Sequence, residues 1–138
     1  MNNIELVKYA MDARKNAYSP YSEYKVGAAL LTEDGEVFKG CNIENASYGV
    51  TNCAERTAIF KAVSEGKRNF TKIAIVGGKA SEDDTFSDYA YPCGVCRQVM
   101  REFCGAKFEI IVAKSINEIK RFTLEELLPH GFGPENLE

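Results

Sequence analysis

Three cysteines and one glutamate stand out as residues that could do chemistry. Asn52-Cys53-Ala54-Glu55-Arg56 and Pro92-Cys93-Gly94-Val95-Cys96-Arg97 lie 40 positions apart, cysteine to cysteine. Cys93 and Cys96, spaced by two residues, can turn toward one ion, and Cys53 can supply a third sulfur. Zinc is held by thiolates in a tetrahedron. Three protein ligands leave the fourth position open, as in a catalytic site that carries water, whereas a structural zinc closes with a fourth protein ligand. The only histidine, His130, sits in Leu128-Pro129-His130-Gly131, mismatched with ordinary site spacing, and is expected to be solvated. Taken alone, Cys93-x-x-Cys96 also fits a redox pair or a fragment of a zinc ribbon. No second such pair completes a ribbon, and Cys53 moves the balance to a three-ligand site. Glu55, two residues after Cys53, is placed to reach a metal-bound water as an acid–base group. The competing reading makes it part of a capping box with Asn52 as the N-cap three residues earlier; the whole motif favours catalysis.

Both cysteine clusters fall where helices are expected to begin, and a helix N-terminus offers free N–H groups and a positive dipole end that favour thiolates. The surrounding elements follow from hydrophobic spacing. Ile4, Val7, Ala10 and Met11 share a helical face over residues 4–16, and Ser19-Pro20-Tyr21-Ser22 breaks that helix. Residues 24–31 alternate as a strand, Asp34-Gly35 signals a hairpin, and residues 36–42 return. A helix is expected over 53–66, a short strand over 72–76 ending in Gly77-Gly78, and a helix over 94–104 with Gly105 as a cap. Residues 108–113 read as a buried strand, 119–122 as a short edge strand, and 124–128 as a helical turn. Helices alternating with strands after an opening hairpin indicate an α/β domain, a mixed sheet with helices on both faces. Residues 79–91 (KASEDDTFSDYAY) are too acidic and too long for an ordinary connection. They read first as a solvated excursion and, more sharply, as a lid or interface element leading into the cysteine pair.

Size and composition limit the function classes. The 138 residues suit one domain, and 17 basic against 20 acidic side chains give a net charge of −3, so no strongly basic nucleic-acid footprint is present. No apolar stretch approaches the roughly 20 residues of a membrane helix, and the first residues lack signal-peptide character. Five cysteines, an odd number, argue against a disulfide framework. Cys41 and Cys104 read as inert core thiols. A soluble, cytoplasmic protein is expected.

The combination of Cys53-Ala54-Glu55 with Pro92-Cys93-x-x-Cys96 has the form of the zinc deaminase signature in its three-cysteine variant. Ser19-Pro20-Tyr21-Ser22-Glu23-Tyr24-Lys25-Val26-Gly27-Ala28-Ala29-Leu30-Leu31, Gly40-Cys41-Asn42-Ile43-Glu44-Asn45-Ala46, and Leu127-Leu128-Pro129 followed by Phe132-Gly133-Pro134 extend the likeness over nearly the whole chain. The sequence resembles the small homotetrameric cytidine deaminases.

That resemblance implies a single domain over residues 1–138, a three-layer α/β/α sandwich around a mixed five-stranded sheet. It implies one zinc per chain on Cys53, Cys93 and Cys96, with Glu55 shuttling protons. Asn42 and Glu44 match the pair that hydrogen-bonds the ribose, Ala54 the position whose backbone amide meets the pyrimidine carbonyl, and Tyr24 a position beside the base often held by phenylalanine. Tyr48 and Phe132 match aromatics that reach a neighbouring subunit's pocket in a homotetramer. Arg56 matches the arginine that softens thiolate charge. Two departures are the length of residues 79–91 and Tyr91, which stands where a small residue often precedes the proline. The implied activity is hydrolytic deamination of cytidine and deoxycytidine, a step of pyrimidine salvage, with a related aminopyrimidine nucleoside analogue as the alternative substrate. The implied partner is a small nucleoside, with neither nucleic acid nor membrane. Deamination of a base in RNA or single-stranded DNA would want a cationic groove, and a carboxylate at Glu44 would repel a phosphodiester. A structural zinc module would want a fourth ligand and leave Glu55 without a purpose.

Overall fold

The computed structural model describes residues 1–138. Helix α1 (Asn3–Arg14) opens the chain, with the Asn2 side chain accepting from the Glu5 N–H at its start. Strands β1 (Tyr24–Thr32) and β2 (Val37–Cys41) form the expected hairpin. Gly35 takes the left-handed conformation the turn needs (φ 88°). Helix α2 (Ala54–Ser64), strand β3 (Phe70–Lys79), helix α3 (Gly94–Phe103), strands β4 (Glu109–Ser115) and β5 (Glu118–Thr123) and the short helix α4 (Leu124–Leu127) follow. The sheet order is β2-β1-β3-β4-β5; only β3 and β4 run parallel. No helix is long and apolar enough to cross a membrane.

A period of two divides each central strand between two cores. Leu30, Ile73, Ile75, Ile110 and Val112 face α2 and α3, packing on Ala54, Ala58, Ile59, Ala62, Cys96 and Met100. Leu31, Ala74, Val76, Ile111 and Ala113 face α1, packing on Leu6, Val7 and Ala10. The result is the expected α/β/α sandwich. Two glycines let helices approach the sheet: a Cβ at Gly40 would lie 2.5 Å from the Ala54 carbonyl and the Ala58 N–H nitrogen, and one at Gly27 2.0 Å from the Ala10 carbonyl.

Three local expectations need correction. Strand β3 is longer than residues 72–76, because Gly77 and Gly78 stay in register opposite Val26 and Lys25 rather than ending the strand. Cys104, extended (φ −129°), caps α3, and Gly105 has no left-handed role; Gly66 takes that conformation (φ 92°) after α2. Residues 79–91 are exposed at most positions, as a solvated excursion would be, but they are pinned at two points, since Phe86 and Ala90 are buried, one in each core.

Candidate active site

Cys53 and Cys93 are the N-cap residues of α2 and α3, and Cys96 sits in the first turn of α3. The three sulfurs lie within 4.8 Å of one another. The Cys53 and Cys93 sulfurs are 3.8 Å apart. Zinc–sulfur bonds of about 2.3 Å at tetrahedral angles require sulfur–sulfur edges of about 3.8 Å, so the donor set fits a zinc ion. The group has three members, and His130 is exposed and outside it.

Electrostatics favour thiolate at Cys53, while the hydrogen bond to Cys53 and burial push the Cys96 thiol up. The Cys93 sulfur accepts the Cys96 N–H at 3.5 Å. A hydrogen bond from the Cys96 thiol, with the Arg56 guanidinium at 3.2 Å, pulls the Cys53 thiol down to about 5. The Arg56 Nε is buried without a partner. Arg97 holds the second cluster in place, with Nε donating to the Pro92 carbonyl and Nη1 to the Leu127 carbonyl, each at 2.7 Å. Cys104 is buried, and burial pushes its thiol up to about 12. Cys41 ends β2 half-buried rather than in the core, and burial raises its thiol too. Neither joins the cluster.

Glu55 is 4% exposed. The capping-box alternative does not hold: Cys53, not Asn52, is the N-cap, and the Asn52 side chain donates instead to the Thr57 hydroxyl at 3.0 Å. Burial, helped by the charge of Cys53, pushes the Glu55 carboxyl up to about 7.

A cavity of about 450 Å³ brings together Tyr24, Asn42, Cys53, Ala54, Glu55 and Cys93. Asn42 is tied to β1, its Oδ1 accepting the Val26 N–H at 2.9 Å and its Nδ2 donating to the Tyr24 carbonyl at 2.8 Å; one amide hydrogen remains. Glu44 lines an adjoining hollow of about 340 Å³ with Tyr21, Ser22 and Tyr48, and Thr51 borders both. The Ser22 hydroxyl and the N–H groups of Ser22 and Tyr21 bind the Glu44 carboxylate and hold it below the ordinary carboxylate range. Tyr48 is exposed, edge-on to Tyr21. Phe132 is exposed and apart from the cavity; its carbonyl accepts from Gln98 on α3. The cavity wall also includes Tyr89, Ala90 and Tyr91, none of them expected as lining residues. Their signal was the aromatic run just before Pro92-Cys93.

The profile of the cytidine and deoxycytidylate deaminase zinc-binding region matches residues 1–112, a span holding all three cysteines and Glu55. The chain belongs to the cytidine deaminase family. A cytidine deaminase of Halalkalibacterium halodurans is 50% identical, over 99% of this chain and 98% of its own length. One from Sporosarcina psychrophila is 47% identical, over 96% and 93%. Among solved structures, a cytidine deaminase from Burkholderia pseudomallei superposes with a TM-score of 0.87 at 45% identity, covering 96% of this chain and 100% of its own. Zinc is the cofactor of this family of deaminases, and the three-sulfur cluster is where this chain can hold it.

Proposed function

We propose that the protein hydrolyses cytidine and deoxycytidine to uridine and deoxyuridine with release of ammonia. The observation that carries this is Glu55, buried on the wall of the same cavity as Cys53 and Cys93. In this reading Cys53, Cys93 and Cys96 are the ligands, and zinc, when bound, acidifies the attacking water. The Glu55 carboxylate takes the proton from that water as its oxygen attacks carbon 4 of the pyrimidine. It delivers that proton to ring nitrogen 3, then takes the proton of the new carbon 4 hydroxyl and passes it to the amine; the C4–N bond breaks, ammonia leaves and the C4 carbonyl forms, so one residue serves as base and acid in turn. The Arg56 guanidinium withdraws charge from the Cys53 sulfur; three thiolates on a dication would otherwise leave a net negative centre.

The inner cavity takes the base, with the Tyr24 ring and the Ala54 amide beside it. Asn42, through its remaining amide hydrogen, and Glu44 take the sugar hydroxyls. A carboxylate there suits a free nucleoside and repels a phosphate. Tyr48 and Phe132, both exposed aromatics, complete a neighbour's pocket in a homotetramer, which sedimentation of the active enzyme would detect. Five free cysteines fit the reducing cytoplasm.

The test is ultraviolet-monitored turnover by zinc-replete protein with cytidine, deoxycytidine and cytidine monophosphate. Both nucleosides are expected to be consumed and the nucleotide to be poor. Inert cytidine would overturn the activity, and equal turnover of the nucleotide would overturn the role of Glu44.

A further inference from the structure

Residues 80–91 wrap the end of β3 from one face of the sheet to the other, and the strand is built to let them pass. A Cβ at Gly78 would come within 2.7 Å of the Phe86 ring and 2.6 Å of the Glu82 carboxylate; one at Gly77, on the opposite face, would come within 2.9 Å of the Ala90 methyl. On the α1 face, Phe86 is 3% exposed and its N–H donates to the Lys114 carbonyl at 2.8 Å. The Arg14 guanidinium lies over the Phe86 ring, 4.7 Å from its centre. The same guanidinium donates to the carbonyls of Lys25 at 2.9 Å, Gly78 at 3.1 Å and Lys79 at 2.7 Å. The Glu82 carboxylate closes the turn, accepting from the N–H groups of Lys79 and Ser87 at 2.9 Å. Three residues after Phe86, the chain enters the cavity wall.

We propose that Arg14 and Phe86 are positioning residues for substrate: from the far face of the sheet they clamp residues 80–91 so that Tyr89, Ala90 and Tyr91 stand as a wall of the catalytic cavity. This rests on the nucleoside reading above. The clamp acts on the wall and not on the metal, because Cys93 is anchored separately, through Arg97 on the Pro92 and Leu127 carbonyls. Loosening the clamp therefore weakens substrate binding while the ligands and Glu55 stay in place. The signature is a rise in KM without a matching fall in kcat.

The variants are Phe86→Ala and Arg14→Met, with Phe86→Leu as the conservative form and Glu82→Ala as a lesion outside the core. In Phe86→Ala, Arg14→Met and Glu82→Ala, KM for cytidine should rise roughly tenfold or more, the scale of losing fitted contacts in a pocket. The kcat and zinc content should stay within about twofold of wild type. Amide exchange over residues 86–91 should quicken while that of α2 does not, and Phe86→Leu should recover most of the KM. Faster exchange with unchanged KM would overturn the proposal, as would kcat or zinc falling as much as binding. If the buried variants fail to fold, Glu82→Ala alone decides by the same outcomes. If wild-type protein leaves cytidine untouched, the nucleoside reading falls. The clamp is then judged on exchange alone, and protected amides at 86–91 in the variants overturn it.

Discussion

Each face of the sheet buries one charged side chain, and the two are treated in opposite ways. Arg14, 6% exposed, is bonded to three carbonyls and capped by a ring. Glu55, 4% exposed, is met by its own backbone N–H and the Cys96 thiol, and lines the cavity. A buried charge costs stability unless its hydrogen-bonding capacity is met. Arg14 meets that condition and holds neighbouring chain in place rather than reacting. Glu55 has fewer partners, and a carboxyl raised by burial to about 7, in a cleft beside the candidate metal-ligating sulfurs, is poised both to take and to give a proton, the pattern of a reacting group. The face that holds the sulfur cluster is the one where two helices begin close together.

The sharpest way to break this contrast is to remove the metal side of it. Cys53→Ala is expected to abolish turnover and drop zinc well below one ion per chain by elemental analysis; a zinc-replete, active variant would end the three-sulfur assignment. Next comes Glu55→Gln, which preserves shape and zinc. Losing a positioned acid–base group costs about 10²–10⁴ in rate, and a group used in two proton transfers should sit at the top of that range or beyond. Turnover above about a tenth of wild type, in a folded zinc-loaded protein, would remove Glu55 from the proton transfers. Arg56→Gln removes the guanidinium at the Cys53 sulfur and should cost about 10–100-fold in zinc affinity or turnover, read by zinc titration against a chelator.

The smallest effects compare the two faces directly. Gly40→Ala drives a methyl into the first turns of α2, and Gly27→Ala drives one into α1. Each should cost about 1–3 kcal/mol of stability by overpacking, measured by denaturant unfolding. Only Gly40→Ala should also weaken zinc binding, because α2 carries Cys53 at its N-cap. Equal zinc loss in both would show that the faces are not mechanically separate.

Much of the site was legible in the sequence because its parts are local. Cys53 and Cys93-x-x-Cys96 sit at helix starts, and helix starts are marked by hydrophobic periodicity within a dozen residues. The two cores follow from strands whose apolar residues alternate or run unbroken. The helix cap was not legible. Asn52 is the better N-capping type, yet its amide bonds the Thr57 hydroxyl while Cys53 takes the cap.

Composition and spacing determined the α/β class, the three candidate ligands and the glutamate beside them, since each depends on neighbours in the chain. Only the tertiary structure decided which groups share a cavity and what walls it. A single phenylalanine in an acidic stretch has no periodicity to mark it as buried. Its place is made by Arg14, Gly78 and Lys114, contributed by α1, β3 and β4. The Arg14 guanidinium reaches the Gly78 carbonyl across 64 positions of sequence. Contacts of that range exist only after the sheet has assembled, so packing decided that Phe86 and Ala90 are buried, while the polar composition of residues 79–91 had already marked most of the stretch as exposed.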